Sequence, residues 1–114
     1  MNFATRALGR LPVGTMNKTE ASYAAFLDTL VACKDVLWWK FEAAKLRLAD
    51  NTFYSPDFLV LKADGALECH EVKGHWEDDA RVKIKVAASI YPMQFIAVQA
   101  LAKSKGGGWK VERF

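Results

Sequence analysis

The chain has 114 residues with a formal net charge of +3, 52% of them hydrophobic and 25% charged. That length supports one domain built on a single core, and the composition is that of an ordinary globular chain. No apolar run is long enough to cross a bilayer, no signal-peptide pattern opens the chain, and the modest positive excess permits nucleic-acid binding without demanding it.

Residues 1–16 carry Arg6, Arg10, Pro12 and Gly14 without a clear period and read as a basic N-terminal arm; residues 17–114 are expected to form one domain. A helix is expected from Asn17 to about Cys33, with Tyr23, Ala24, Phe26, Leu27, Leu30 and Val31 as its apolar face. Asn17 suits the N-cap, and Glu20 three residues on completes a capping box. Glu20 is also in register with Tyr23, Ala24 and Leu27. A role for it in a site on the sheet therefore stands beside the cap. Val36–Phe41 and Lys45–Ala49 read as one long bent strand or two short ones, interrupted by Glu42 and two alanines. Trp38 and Trp39 are taken as core in preference to a base-stacking platform. Asp50-Asn51 signals a turn before Thr52-Phe53-Tyr54.

The next stretch organises the rest. Tyr54-Ser55-Pro56-Asp57-Phe58-Leu59-Val60-Leu61 and Leu67-Glu68-Cys69-His70-Glu71-Val72-Lys73 are apolar runs separated by a spacer with an Asp64-Gly65 step. Such a step predicts an antiparallel hairpin. Side chains two apart share a face of a strand. Asp57 therefore falls near Glu71 and Lys73, all three able to point the same way. Two acids and a lysine there are costly to bury without a partner, and a divalent cation is the simplest partner for the acids.

Gly74 allows a turn above that cluster, with His75 and Trp76 on its rim. Glu77-Asp78-Asp79 is an acidic start for a helix running to about Tyr91 and ended by Pro92. Arg81, Lys85 and Ser89 make a polar stripe on it. Lys83 falls among Ala80, Val86, Ala87 and Ile90, and either snorkels outward or reaches a polar site. Gln94–Val98 is expected as a short buried strand, 102–108 as a basic glycine-rich hairpin loop, and Trp109–Phe114 as a final edge strand. Cys33 and Cys69 read as reduced, buried thiols of an intracellular, cytoplasmic protein. Cys69-His70 with His75 lacks the paired-cysteine spacing of a zinc site.

Pro56-Asp57, then a hairpin, then Glu71-Val72-Lys73 resembles the PD-(D/E)XK nuclease superfamily, nearest to small phage-type endonucleases and Holliday-junction resolvases. From about Asn17 to Val98 the order of elements resembles the family as well. The resemblance implies an α/β fold with a restriction-endonuclease-like core: a mixed sheet of about five strands flanked by helices, in the order α-β-β-β-α-β. It implies a metal-dependent DNA endonuclease, structure-selective for junction or branched DNA, acting in phage or prophage DNA metabolism in a bacterial host or phage-infected cell. Asp57 and Glu71 match the family's acids, Lys73 its lysine, Glu20 a glutamate on the first helix, and Lys83 an auxiliary basic residue. The expected cofactor is Mg2+, with Mn2+ able to substitute. Its expected ligands are Asp57, Glu71, the Val72 carbonyl and Glu20. His75, Trp76, Arg81, Lys83 and Lys85 are the candidate DNA contacts. A resolvase would work as a homodimer; no membrane partner is expected. The rival readings are a catalytically inactive nucleic-acid-binding module of the same fold, and a plain edge ion pair between Glu71 and Lys73.

Overall fold

A computed structural model describes residues 14–74 and 78–114. The basic arm expected for residues 1–16 thus lies mostly outside the described residues, as do His75 and Trp76. Helix α1 (Lys18–Ala32) leads into strands β1 (Val36–Phe41), β2 (Leu46–Ala49), β3 (Thr52–Tyr54), β4 (Phe58–Lys62) and β5 (Leu67–Lys73). Helix α2 (Asp78–Ile90) is followed by β6 (Gln94–Ala100) and β7 (Trp109–Arg113). The fold is α/β. Its five-stranded mixed sheet has the order β1-β4-β5-β6-β7, and β2 and β3 form a separate hairpin. All pairings in the large sheet are antiparallel except β5 with β6. Among the described residues no helix is long and apolar enough to cross a membrane.

The stretch from Val36 to Ala49 is two short strands. Glu42 adopts a positive φ of 51° directly after β1, which turns the chain out of the large sheet and into the hairpin. Tyr54 likewise ends β3 and is not the start of β4. Ser55 and the fully buried Pro56 carry the chain back to the large sheet. Pro56 has no N–H to offer a ladder and fits just ahead of a strand. The turn after β4 follows the Asp-Gly signal, with Gly65 at a φ of 90°.

Each face of the sheet carries its own core. On one side α1 lays Tyr23, Ala24 and Leu27 against Val36, Phe58, Val60, Val72, Ile96 and Val98. Phe58 is fully buried, with the rings of Tyr23, Trp39 and Phe41 around it. Truncating such a side chain to alanine costs about 3–5 kcal/mol. On the other side Ile84 and Ala87 of α2 meet Cys69, Phe95 and the inward residues of the hairpin, Leu46 and Tyr54.

Helix α1 buries a narrower stripe than its periodicity suggests. Phe26 and Val31, expected in the core, are more than a third exposed. Phe26 rests instead against Tyr23 and Trp109. Cys33, expected to be buried, is exposed, whereas Cys69 is fully buried. Cys33 is the C-cap residue, beyond the last turn that touches the sheet, and its Sγ lies 3.4 Å from Leu30 O. The tryptophan pair divides. Trp39 packs in the core and donates to Asp28 Oδ1 at 2.9 Å, while Trp38 is exposed. On α2, Val86 and Ile90 of the expected apolar arc face outward, and Ile84 takes the buried position. Strand β6 runs two residues longer than expected. The loop after it holds a 3-10 turn (Lys103–Lys105) before Gly106, Gly107 and Gly108, all at positive φ.

Candidate active site

Strand β5 is central in the sheet, so both of its faces are covered and its polar side chains must find partners. The alternation Glu68-Cys69-His70-Glu71-Val72-Lys73 sends Cys69, Glu71 and Lys73 to the α2 side. Glu68 and His70 go to the α1 side.

On the α2 side the hairpin and β4–β5 build one cluster. The β4–β5 ladder ends at Phe58 opposite His70. Beyond that pair, the Val72 N–H that would have met a β4 carbonyl meets the Asp57 carboxylate, with Oδ2 at 2.8 Å. Asp57 is fixed from behind as well, because its own carbonyl accepts from Glu42 N at 2.8 Å. Glu71 is buried at 8% exposure. Its Oε1 accepts from the Tyr54 hydroxyl at 2.7 Å, and its Oε2 lies 3.0 Å from Lys73 Nζ. Burial, then the neighbouring charge of Glu71, pushes the Asp57 carboxyl up to about 8; Glu20 adds to that rise, and the Val72 N–H and Lys73 oppose it. Burial and the Glu71 charge drive the Tyr54 hydroxyl far above its usual range, so it acts as a donor.

Glu20 forms the expected capping box. Asn17 Oδ1 accepts from Glu20 N at 2.8 Å and Glu20 Oε1 accepts from Asn17 N at 2.9 Å, a complete capping box. Its charge nevertheless reaches Asp57. A pocket of about 360 Å³ opens over the cluster, lined by Phe53, Tyr54, Ser55, Glu71, Lys73, Asp79, Ala80 and Lys83. Lys83 thus borders the same space as Lys73. Arg81 forms a bidentate pair with Glu112 of β7, at 2.5 and 2.9 Å. Lys85 is exposed on α2.

Two features were not anticipated. Tyr54 as the partner of Glu71 is one. The other is a buried chain on the α1 side: Tyr23 OH lies 2.6 Å from His70 Nδ1, and His70 Nε2 lies 2.8 Å from Glu68 Oε1. The hydrogen bond from His70 leads the causes that hold the Glu68 carboxyl below its ordinary range. The signal available in the sequence was the alternation itself, which puts Glu68 and His70 on the face that α1 covers.

The groups of Asp57 and Glu71 that could ligate a cation are carboxylate oxygens, which suit a hard ion, although the Val72 N–H and Lys73 Nζ already contact them. Among the described residues no group of three or more His, Cys, Asp or Glu side chains converges on one point. A cation held here would therefore keep several waters, as magnesium does. Comparison of the chain with protein-family models, curated proteins and solved structures finds no match.

Proposed function

We propose that this chain is a magnesium-dependent endodeoxyribonuclease with a restriction-endonuclease-like core of the PD-(D/E)XK kind, in which Mn2+ can replace Mg2+. The observation that carries this reading is the convergence of Asp57 and Glu71 at one end of the β4–β5 pair, with Lys73 in contact with Glu71. The strand order supports it. The antiparallel trio β1-β4-β5 is followed, across α2, by a parallel β6. The first acid stands just before β4 and the Glu-x-Lys triplet closes β5.

The residues fit a divalent ion on charge as well as on donor type. Two carboxylates share a buried corner, and Asp57 is pushed up to about 8 as a result. A divalent cation would offset both the burial and the Glu71 charge that raise it. Asp57 and Glu71 would hold the ion. The Val72 carbonyl would join them, because a strand residue presents its N–H and C=O to the same neighbour, and the Val72 N–H faces Asp57. Glu20 would act on the ion's water shell. When bound, the ion would lower the pKa of a water and neutralise charge at the phosphate.

The side chains supply the rest. Tyr54 fixes the rotamer of Glu71. Lys73 orients the attacking water and offsets negative charge as the phosphorus is attacked. Lys83, across the pocket, holds the DNA backbone in a salt-dependent, sequence-independent way. The biological setting that fits is phage or prophage DNA metabolism. Titration calorimetry with Mg2+ tests the metal assignment. Asp57→Ala and Glu71→Ala should each weaken binding while the fold is retained, and unchanged affinity in both variants would reject it.

A further inference from the structure

The β2–β3 hairpin does more than cover Cys69 and Phe95. Its inward residues, Leu46 and Tyr54, are buried, whereas Phe53 is 39% exposed and lines the same pocket as Glu71, Lys73 and Lys83. Lys45 Nζ sits 4.6 Å from the centroid of the Phe53 ring. Arg47 stands opposite Phe53 in the hairpin register and makes a loose, solvent-exposed ion pair with Asp50 at 3.8 Å. A second pocket of about 300 Å³, lined by Glu42, Ala43, Ala44, Lys45 and Ser55, adjoins the first at Ser55. One accessible aromatic ring with two cations beside it therefore lines the hollow over the carboxylates, next to a second hollow that Lys45 borders.

Aromatic rings interleaved with cations in a groove are the means by which proteins hold single-stranded nucleic acid, because every base has a face that can stack. A paired base inside a duplex keeps its faces against its neighbours and cannot reach such a ring. We infer that Phe53, supported by Lys45, is a stacking platform for an unpaired base next to the phosphate held at Lys83. The substrate would then be DNA with single-stranded nucleotides at the cleavage position. This rests on the nuclease reading for the role of Lys83, but Phe53 can be tested by binding alone.

The test uses the full chain in EDTA, with fluorescently labelled single-stranded DNA, the matching duplex, and a single strand carrying a fluorescent adenine analogue. Phe53→Ala and Phe53→Leu should each weaken single-strand binding on the order of 10-fold, leave duplex binding unchanged, and keep the melting temperature of the parent. Phe53→Trp should restore binding. The unaltered protein should quench the adenine analogue, which needs no variant to fold. Absence of quenching, or equal single-strand affinity in the parent and Phe53→Leu, would overturn the inference. A protein that binds single strands through Phe53 yet cleaves nothing with Mg2+ would sink the nuclease reading and leave this one standing. Cleavage indifferent to Phe53 would do the reverse.

Discussion

The hydroxyl of Tyr54, on the β2–β3 hairpin, donates to Glu71 Oε1 on the central strand of the large sheet at 2.7 Å. The bond ties two separate sheets together at the candidate site and leaves the other oxygen of Glu71 to Lys73. Tyr54→Phe keeps the ring and leaves a buried carboxylate oxygen without its donor. The expected cost is about 1–3 kcal/mol, read as a lower midpoint in urea, together with weaker Mg2+ binding in calorimetry. An unchanged midpoint would show that Glu71 does not depend on Tyr54.

Asp57 gives the metal-free protein a defined pH dependence. In the unfolded chain an aspartate releases its proton at about 4, whereas in the fold Asp57 keeps it up to about 8. Between those values the folded state binds more protons than the unfolded state, so stability falls as pH rises. Below the window both states are protonated; above it both are ionised, and the slope from this group ends. Thermal melts in EDTA across the window should show the decline, and Asp57→Asn should flatten it. Adding Mg2+ at the upper end should raise the melting temperature of the parent but not that of Asp57→Asn.

For Glu20 the cap and the site ask for different things. Glutamine can make the same bond to the Asn17 N–H, so the cap should survive Glu20→Gln and the melting temperature should barely move. The charge felt at Asp57 would be gone. Cleavage is expected to drop in that variant. Full activity with reduced stability would leave Glu20 as a cap only.

The sequence revealed what depends on neighbours along the chain. The β4–β5 hairpin follows from strand alternation and one Asp-Gly turn, and that pairing alone brings Asp57 to Glu71 and Lys73. The capping box of α1 is equally local. What stayed hidden depends on distant packing. The partner of Glu71 sits 17 residues away on another sheet, and that of His70 lies 47 residues away on a helix. Periodicity marked Phe26, Val31 and Cys33 as buried because it carries no information on how wide a strip of helix the sheet can cover. Nothing local marks that Arg81 lies across from Glu112, since β7 joins the sheet only after the chain has returned through β6.

A Lys73 variant would separate chemistry from binding. Lys73→Ala should retain Mg2+ and DNA affinity but lose cleavage on the order of 100-fold or more, the scale of a positioned proton-transfer or electrostatic group. Single-turnover rates with saturating protein measure this without interference from binding. Near-parental rates would remove Lys73 from the mechanism.

On the proposed function, Asp57 and Glu71 together support metal-dependent cleavage of DNA. The most direct measurement is cleavage of single-stranded, flap, four-way-junction and duplex DNA by the purified chain with Mg2+, with Mn2+ and with EDTA, beside Asp57→Asn and Glu71→Gln. Cleavage of at least one branched or single-stranded substrate is expected with either metal, with none in EDTA and none by either variant. Intact DNA throughout, or cleavage that persists in both variants, would contradict it.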